Sequence, residues 1–342
     1  MTLPVRVPGL TQAVTGPLID TFGRGHDYLR ISVTDRCNYR CTYCLPAAGL
    51  DWLPRSELLT FEEIERIAAT FAAMGVRRLR LTGGEPTVRR GLPELVARLA
   101  AIPGIEDVAL TTNGHHFARL AAPLAQAGLR RVNISIDALD PVTFREITRG
   151  GDVARVLAAI DASLAAGLDP VKLNCVVIRG VNEAELVPLV ARFAGTPVQV
   201  RFIEYMPFDQ DDRKKHLPVA EVRNRISSVF PLELAPEARI GGGPARTWRV
   251  SGTDQVVGFI SPITEHFCEA CNRLRLSSDG HLRTCLSRDR TPSLRDLLRG
   301  GLSDAGLAAA IRSMVWAKVA GHEAHIEAEW RRFEGVMTRI GG

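Results

Sequence analysis

The chain has 342 residues, of which 46% are hydrophobic and 24% charged, and its formal net charge is +5 at pH 7. These proportions are typical of a globular protein and exclude a low-complexity or collagen-like chain. No apolar run reaches the roughly 18 residues that a membrane span needs, and Met1–Asp20 lacks the apolar block of a secretory signal. We therefore expect a cytoplasmic protein, whose mild positive charge suits either an anionic substrate such as a nucleotide or loose contact with a nucleic acid.

Strand and helix patterns alternate over the first two thirds of the chain. Apolar runs predict strands near 27–33, 77–82, 107–111, 131–136, 171–177 and 198–204. Helices are predicted from the capping box Thr60–Glu63 to Gly75, and near 93–101, 117–127, 153–166 and 183–194. This alternation implies a parallel sheet with right-handed crossovers. Six units are too few for a closed barrel of about 250 residues, so we predict an α/β fold, an open six-unit (βα)6 partial TIM-like barrel.

The alternation ends after residue 208. A charged loop at 209–215, a helix at 219–230, strands at 246–250 and 256–260, a hairpin at 272–286 and helices at 293–300 and 304–318 are predicted there. We therefore predict three segments: an N-terminal extension (1–25), the partial barrel (26–208), and a C-terminal α+β region (209–342) that closes the barrel mouth.

Six of the seven cysteines form two triplets. The first triplet is Cys37, Cys41 and Cys44, and the second is Cys268, Cys271 and Cys285. A 4Fe–4S site ordinarily takes four thiolates. Three ligands would leave one iron open to another molecule, as catalytic zinc sites leave a position open. Cys175 remains, and its apolar surroundings at 173–178 indicate a core residue.

Zinc is the main alternative for both triplets. Zinc motifs use cysteine pairs with a second pair further along, which the first triplet fits poorly. The second triplet would suit zinc if His266 or His281 supplied a fourth ligand, so this alternative stays open. His322 and His325 are three residues apart, not the four of a zinc-binding helix, and we interpret them as a solvated helix face.

Other polar and glycine-rich motifs follow the remaining strands. They are Gly83–Pro86 after the second strand, Thr112–Gly114 after the third, Ser135 and Asp137 at the end of the fourth, and Met206 beyond the sixth. The active sites of parallel barrels lie at the carboxyl ends of the strands. We therefore expect these motifs to meet the first triplet at one edge.

The first triplet, with Tyr43 before its last cysteine, resembles the radical S-adenosylmethionine enzymes. In that superfamily S-adenosylmethionine chelates the open iron, and its one-electron reduction yields a 5′-deoxyadenosyl radical. The whole chain is similar to one family within it, the GTP 3′,8-cyclases of molybdenum cofactor biosynthesis. The similarity rests on both triplets and on 20–24, 29–36, 80–86, 202–207, 273–275 and Gly341–Gly342. Tyr39 and Leu45 depart from it, because the family often has Phe and Met there.

The resemblance implies two 4Fe–4S clusters, one on each triplet, and S-adenosylmethionine as a cofactor. It implies that S-adenosylmethionine is contacted by Tyr43, Gly84, Ser135 and Met206. It implies that GTP is contacted by Arg30, Arg80, Thr111, Lys172, Arg273, Leu274 and Arg275, with Arg201 as a further candidate. The implied reaction takes hydrogen from carbon 3′ of the GTP ribose and closes the substrate radical onto carbon 8 of guanine. In the family the Gly341–Gly342 tail reaches the active site.

The resemblance also implies partners. We expect an electron donor and a downstream pterin synthase, with a homodimer as a candidate assembly and no membrane or nucleic-acid partner. Two rival functions stay open. A peptide-modifying radical maturase would usually carry more C-terminal cysteines. A metal-stabilised nucleic-acid-binding protein would bind zinc and show salt-dependent affinity, but it leaves the barrel unexplained.

Overall fold

The computed structural model describes residues 16–207, 211–238, 241–286 and 291–321. The strands are β1 (Tyr28–Ser32), β2 (Arg78–Thr82), β3 (Asp107–Thr112), β4 (Arg131–Ser135), β5 (Val171–Val177), β6 (Gln199–Glu204), β7 (Leu232–Leu234), β8 (Arg246–Val250), β9 (Val256–Ile260), β10 (Arg273–Leu276) and β11 (Leu282–Arg283). The α-helices are α1 (Phe61–Ala73), α2 (Leu92–Ala100), α3 (Ala121–Gln126), α4 (Pro141–Thr148), α5 (Val153–Ala165), α6 (Leu186–Arg192), α7 (Val219–Ser227), α8 (Leu294–Arg299) and α9 (Asp304–Trp316).

The predicted partial barrel is confirmed. Strands β1 to β6 pair in chain order, each parallel to the next. The eleven strands of the described residues belong to one sheet in the order β11-β10-β1-β2-β3-β4-β5-β6-β9-β8-β7, so β11 and β7 are its edges and the barrel stays open. No helix of the described ranges combines the length and the hydrophobicity of a membrane span.

The C-terminal strands extend the sheet at both of its edges. Strand β10 pairs parallel to β1, and β9 pairs parallel to β6. Strands β11, β8 and β7 then add antiparallel pairs outside them. The hairpin β10–β11, which is flanked by the second cysteine triplet, is therefore placed directly beside β1, the strand that leads to the first triplet.

The two faces of the sheet differ in polarity. Leu29 and Ile31 of β1 are fully buried in the apolar core together with Ile64 and Ile67 of α1. Because side chains alternate along a strand, Arg30 between them points to the other face, the barrel interior. The helices thus cover an apolar outer face and leave a polar interior for the site.

Helix α4 was not predicted from the sequence. The side chain of Asp140 caps it by accepting a hydrogen bond from the Thr143 amide (2.8 Å), and Pro141 occupies its first turn. The helix is short, and no strand separates it from α5, so the strand–helix alternation gave no sign of it. The prediction near 117–127 was also too long, because a 3-10 turn at Phe117–Arg119 precedes α3.

Candidate active site

The loop that carries the first triplet is fixed by the glycine pair after β2. The amides of Gly84 and Glu85 donate hydrogen bonds to the carbonyls of Thr34 and Arg36, both at 2.8 Å. A Cβ added to Gly84 would lie 2.3 Å from the Arg36 carbonyl oxygen, and one added to Gly83 would lie 2.5 Å from that of Thr34. Glycine is therefore required here by the close approach of the protein's own backbone.

Helix α4 holds the other side of the same loop. The last carbonyls of a helix have no partner within the helix. Those of Ile147 and Thr148 accept hydrogen bonds from the amides of Thr42 (2.9 Å) and Arg40 (3.1 Å). The Arg149 guanidinium then donates to the carbonyls of Arg40 (3.1 Å) and Leu45 (2.8 Å). These contacts between α4 and the loop were not predicted from the sequence. The one sequence signal for α4 was Asp140-Pro141, which is typical of the start of a helix.

Glu85 ties the ends of β2 and β3 together. Its carboxylate is buried and accepts hydrogen bonds from the hydroxyls of Thr87 (2.6 Å) and Thr112 (2.7 Å) and from the Asn113 amide (2.6 Å). Burial raises the pKa of this carboxyl, although the hydrogen bonds oppose the shift. The motifs predicted after β2 and β3 therefore do meet at one edge.

Tyr43 is held by the end of β4. Its hydroxyl donates to Asp137 Oδ2 (2.7 Å), and the Val176 amide donates to Asp137 Oδ1 (2.8 Å). Burial raises the pKa of Asp137 to about 6. Ser135 ends β4, and Met206 follows β6 by two residues, both partly buried. The four residues predicted to contact S-adenosylmethionine thus all lie at the carboxyl ends of the strands or on the loops that follow them.

The thiols of the first triplet fit an iron–sulfur cluster. Burial raises the pKa of Cys37 to about 11 and of Cys44 to about 12, and raises that of Cys41 still further above its usual range. A bound metal must therefore supply the charge that makes them thiolates. Within the described ranges, no three His, Cys, Asp or Glu side chains converge on one metal-ion position. Each thiolate of a 4Fe–4S cluster binds a different iron, so the arrangement is compatible with such a cluster.

The second triplet lies at the open end of the hairpin β10–β11. Arg275 pairs with Arg283, so Cys285, two residues further on, lies at the same end as Arg273. Burial pushes the pKa of Cys271 upward, but the charges of Arg273 and Lys318 outweigh burial and lower it to about 6. His281 lies at the turn, the opposite end, with Nδ1 2.6 Å from the Thr291 carbonyl. That position argues against His281 as the fourth ligand of a zinc site.

Cationic side chains line the barrel interior between the triplets. Arg275, Arg30 and Arg80 occupy matching positions on the neighbouring strands β10, β1 and β2. Lys172 on β5 and Arg201 on β6 add two more charges, each only 5% exposed. Burial and neighbouring positive charges lower the pKa of Lys172 to about 6, of Arg201 to about 9 and of Arg275 to about 10. The Thr111 hydroxyl accepts from Arg80 Nη1 (3.3 Å) and so belongs to the same layer.

Several of these guanidinium nitrogens have no hydrogen-bond acceptor among the described residues. They are Arg30 Nε, Arg275 Nε, and Nε and Nη2 of Arg201. Buried donors of this kind are costly unless an acceptor meets them. A ligand with several anionic oxygens would satisfy them together. Leu274 differs from its neighbours, since its side chain lies in the apolar core on the other face.

Comparisons with known proteins bear on this arrangement. Residues 31–193 match the family model described as Radical SAM superfamily, and residues 198–324 match the one described as Molybdenum Cofactor Synthesis C. A protein of Caulobacter vibrioides named GTP 3′,8-cyclase is 44% identical over 99% of this chain and 98% of its own length. One of the same name from Moorella thermoacetica is 46% identical over 94% of this chain and 99% of its own length.

The chain belongs to the GTP 3′,8-cyclase family. The predicted cofactors, 4Fe–4S clusters and S-adenosylmethionine, are those of this family within the radical S-adenosylmethionine superfamily. Two solved structures share the fold at 15% sequence identity. Streptococcus suis SuiB bound to S-adenosylmethionine has a TM-score of 0.60 over 89% of this chain and 75% of its own. The protein anSMEcpe with bound AdoMet has a TM-score of 0.53 over 90% and 84%.

Most predicted site residues can be placed in the structure, and a few lie outside the described residues. The first triplet, Tyr43 and Gly84 lie on loops at the carboxyl ends of the strands, and Arg30, Arg80 and Arg275 occupy matching positions on neighbouring strands. The contacts of all these residues with ligands stay predictions. The Gly341–Gly342 tail and the histidines at 322 and 325 lie outside the described residues. The three predicted segment boundaries also stay predictions.

Proposed function

We propose that this chain is a GTP 3′,8-cyclase that catalyses the first step of molybdenum cofactor biosynthesis. The observation that carries the proposal is the layer of cationic side chains between the two cysteine triplets, in which Arg30 Nε, Arg275 Nε, and Nε and Nη2 of Arg201 are buried without a hydrogen-bond acceptor among the described residues. Such a layer suits a triphosphate, and the two family models, together with the 44–46% identical cyclases, point to GTP.

The first triplet, Cys37, Cys41 and Cys44, would hold the cluster that receives S-adenosylmethionine. When bound, this pair would supply a 5′-deoxyadenosyl radical that takes a hydrogen atom from carbon 3′ of the GTP ribose, and the ring closure onto carbon 8 of guanine would need a second electron and a proton to give the cyclised product. The protein's part is to hold the loop still through Gly84, Arg149 and Tyr43, and to exclude water from the space below it.

In this proposal, GTP is bound by the interior cations and by the cluster of the second triplet. Arg30, Arg80, Lys172, Arg201 and Arg275 would hold the triphosphate, each charge-assisted hydrogen bond contributing about 1.5–3 kcal/mol. Cys268, Cys271 and Cys285 would hold the second cluster, which would supply an open iron for guanine, and Arg273 would lie beside it. No acid or base side chain is needed for hydrogen-atom transfer, so orientation dominates.

The remaining partner assignments complete the proposal. The reaction needs an external one-electron donor, and its cyclised product passes to a pterin synthase. None of the seven cysteines forms a disulfide, which suits a reducing compartment, and we place the protein in the cytoplasm. A homodimer is its proposed assembly.

An anaerobic assay of the iron-reconstituted protein with dithionite and S-adenosylmethionine tests the function. We expect 5′-deoxyadenosine release to rise strongly with GTP and not with ATP. Equal slow release with GTP, ATP and no nucleotide would reject GTP as the substrate. Absence of release, with zinc in place of iron, would reject the radical chemistry. The Cys41→Ala variant should lose the cleavage of S-adenosylmethionine and keep the second cluster.

A further inference from the structure

The N-terminal turn, residues 20–26, has no part in the reaction proposed above, yet it is tightly organised. The Asp20 carboxylate is buried and accepts hydrogen bonds from the amides of Phe22 (2.9 Å) and Arg24 (3.0 Å). It also accepts from Arg24 Nε (2.6 Å) and lies 3.0 Å from His26 Nε2. These bonds hold the Arg24 side chain, 8% exposed, in one orientation.

The Arg24 guanidinium connects two distant parts of the chain. Its Nη1 donates to the carbonyls of Cys268 (2.9 Å) and Ala320 (2.5 Å), and its Nη2 donates to that of Val319 (2.6 Å). Cys268 is the first thiol of the second triplet, whereas Val319 and Ala320 follow α9. The turn therefore fixes the end of α9 against the loop of the second triplet.

Lys318 precedes the two carbonyls that Arg24 holds. Its side chain is only 3% exposed. Its Nζ lies 2.9 Å from the Arg273 carbonyl oxygen and 3.6 Å from Cys271 Sγ. Arg273 Nη2 lies 3.7 Å from the same sulfur. A buried ammonium group thus points at one thiol of the triplet.

We propose that Lys318 raises the reduction potential of the second iron–sulfur cluster, and that Arg24 is the positioning residue that keeps Lys318 at Cys271. The inference rests on the proposed function in one respect, that the second triplet holds such a cluster. Hydrogen bonds and charges at the cysteine sulfurs are among the main determinants of cluster potentials. Reduction adds one electron, taken from dithionite in the test below, and forms or breaks no bond. The buried ammonium group of Lys318 stabilises the negative charge that reduction adds. The reduced cluster is therefore more stable, and its reduction potential is higher.

A purely structural role for Lys318 makes a different prediction. If the lysine only tethered α9 to the Arg273 carbonyl, its replacement would lower stability and leave the potential unchanged. The midpoint potential of the second cluster therefore distinguishes the two roles. The free energy of unfolding is measured beside it, because only a structural role predicts a change in stability alone.

The test is an anaerobic redox titration of the reconstituted full-length protein, followed by electron paramagnetic resonance. A variant lacking the three thiols of the first triplet identifies the signal of the second cluster. Lys318→Met should lower the midpoint potential by at least about 59 mV, which is a tenfold change in a one-electron equilibrium. Lys318→Arg should keep most of the wild-type potential. Lys215→Met is the control, because Lys215 is exposed and pairs with Asp212 far from the triplets in sequence.

The role of Arg24 is tested by combining Arg24→Gln with Lys318→Met in one protein. Arg24→Gln should lower the potential in the wild-type background and cause no further change in the K318M background, since it acts through Lys318. Equal shifts in the two backgrounds would refute the positioning role.

Three outcomes would overturn the main inference. The first is a K318M potential that moves by less than a third of the expected shift while iron content is normal. The second applies if K318M fails to bind iron: the midpoint potential of the second cluster is then the same in Lys318→Gln as in K318R. The third is the lack of any iron at the second triplet of the wild-type protein, which would reject the proposed function as well. In the first two cases the proposed function stands.

Discussion

Replacing Gly84 by alanine should displace the loop of the first triplet. The new Cβ would lie 2.3 Å from the Arg36 carbonyl oxygen and 2.6 Å from that of Asp35. Ordinary carbon–oxygen contacts are about 3.3–3.6 Å, so the backbone must move by roughly 1 Å. The atoms in the way are backbone, which cannot rotate aside as a flexible side chain would.

The cost can be worked out from the contacts. Forcing a group into a packed site costs about 1–3 kcal/mol. The two loop hydrogen bonds, from Gly84 to Thr34 and from Glu85 to Arg36, are worth about 0.5–1.5 kcal/mol each. The lower entropy of an unfolded chain with alanine returns about 0.4–1 kcal/mol. We expect the free energy of unfolding of the metal-free protein to fall by about 1–6 kcal/mol.

Anaerobic denaturant unfolding and iron analysis measure the two consequences. Gly84→Ala should lose the cluster of the first triplet and keep that of the second. Gly243→Ala is the matched control, because its added Cβ meets nothing within 4 Å. A G84A protein within about 0.5 kcal/mol of wild type, the range of neutral surface changes, with both clusters present, would refute the steric reasoning.

Three further predictions concern single side chains. Arg201→Met should weaken GTP binding by about ten- to a hundredfold, while stabilising the nucleotide-free protein by about 1–4 kcal/mol, because it removes a buried cation whose Nε and Nη2 lack acceptors among the described residues. Calorimetric titration and unfolding, with the exposed Arg155→Met as control, measure both, and a destabilised R201M would contradict the assignment. Arg149→Ala should lower iron retention at the first triplet by removing the hydrogen bonds to Arg40 and Leu45. The control is Arg145→Ala on the exposed face of α4, and equal iron retention in the two variants would contradict the role of Arg149. Glu204 has a pKa lowered to about 2, since burial is outweighed by the His216 ring, whose Nε2 lies 3.7 Å from Glu204 Oε1, and by hydrogen bonds from Thr264 and Val219. Its contribution of about 3 kcal/mol is therefore present above pH 4.5 and lost as the pH falls toward 2, so Glu204→Gln should flatten the pH dependence of unfolding over this range, and an unchanged slope would count against the network.

The order of strands and helices could be predicted from the sequence because the signals are local. The capping box at Thr60 and Glu63 forms as expected, with both hydrogen bonds present. Alternating apolar positions such as those of Val171–Val177 mark buried strands whatever their neighbours. The position of each motif after a strand also follows from chain order, because parallel strands all end at the same edge.

Helix α4 shows where local signals failed. Its eight residues carry few apolar positions, and its capping residue Asp140 also suits a turn. Its importance comes from carbonyls that meet Arg40 and Thr42, about a hundred residues earlier in the chain. No periodicity in the sequence records such a contact.

The chemistry that this protein can carry is readable from its residues alone: two groups of three thiols, the glycine pair, and the arginines and lysine on alternate positions of predicted strands. Which of these groups meet depends on the folding of the whole chain. Strand pairing aligned Arg275, Arg30 and Arg80 into one layer, although β10 follows β1 by more than two hundred residues, and Arg24 came to hold the chain beyond α9. The physical reason is that spacing along a strand or helix is fixed by backbone geometry, whereas the choice of neighbouring strand and the burial of a charge depend on the packing of the whole chain.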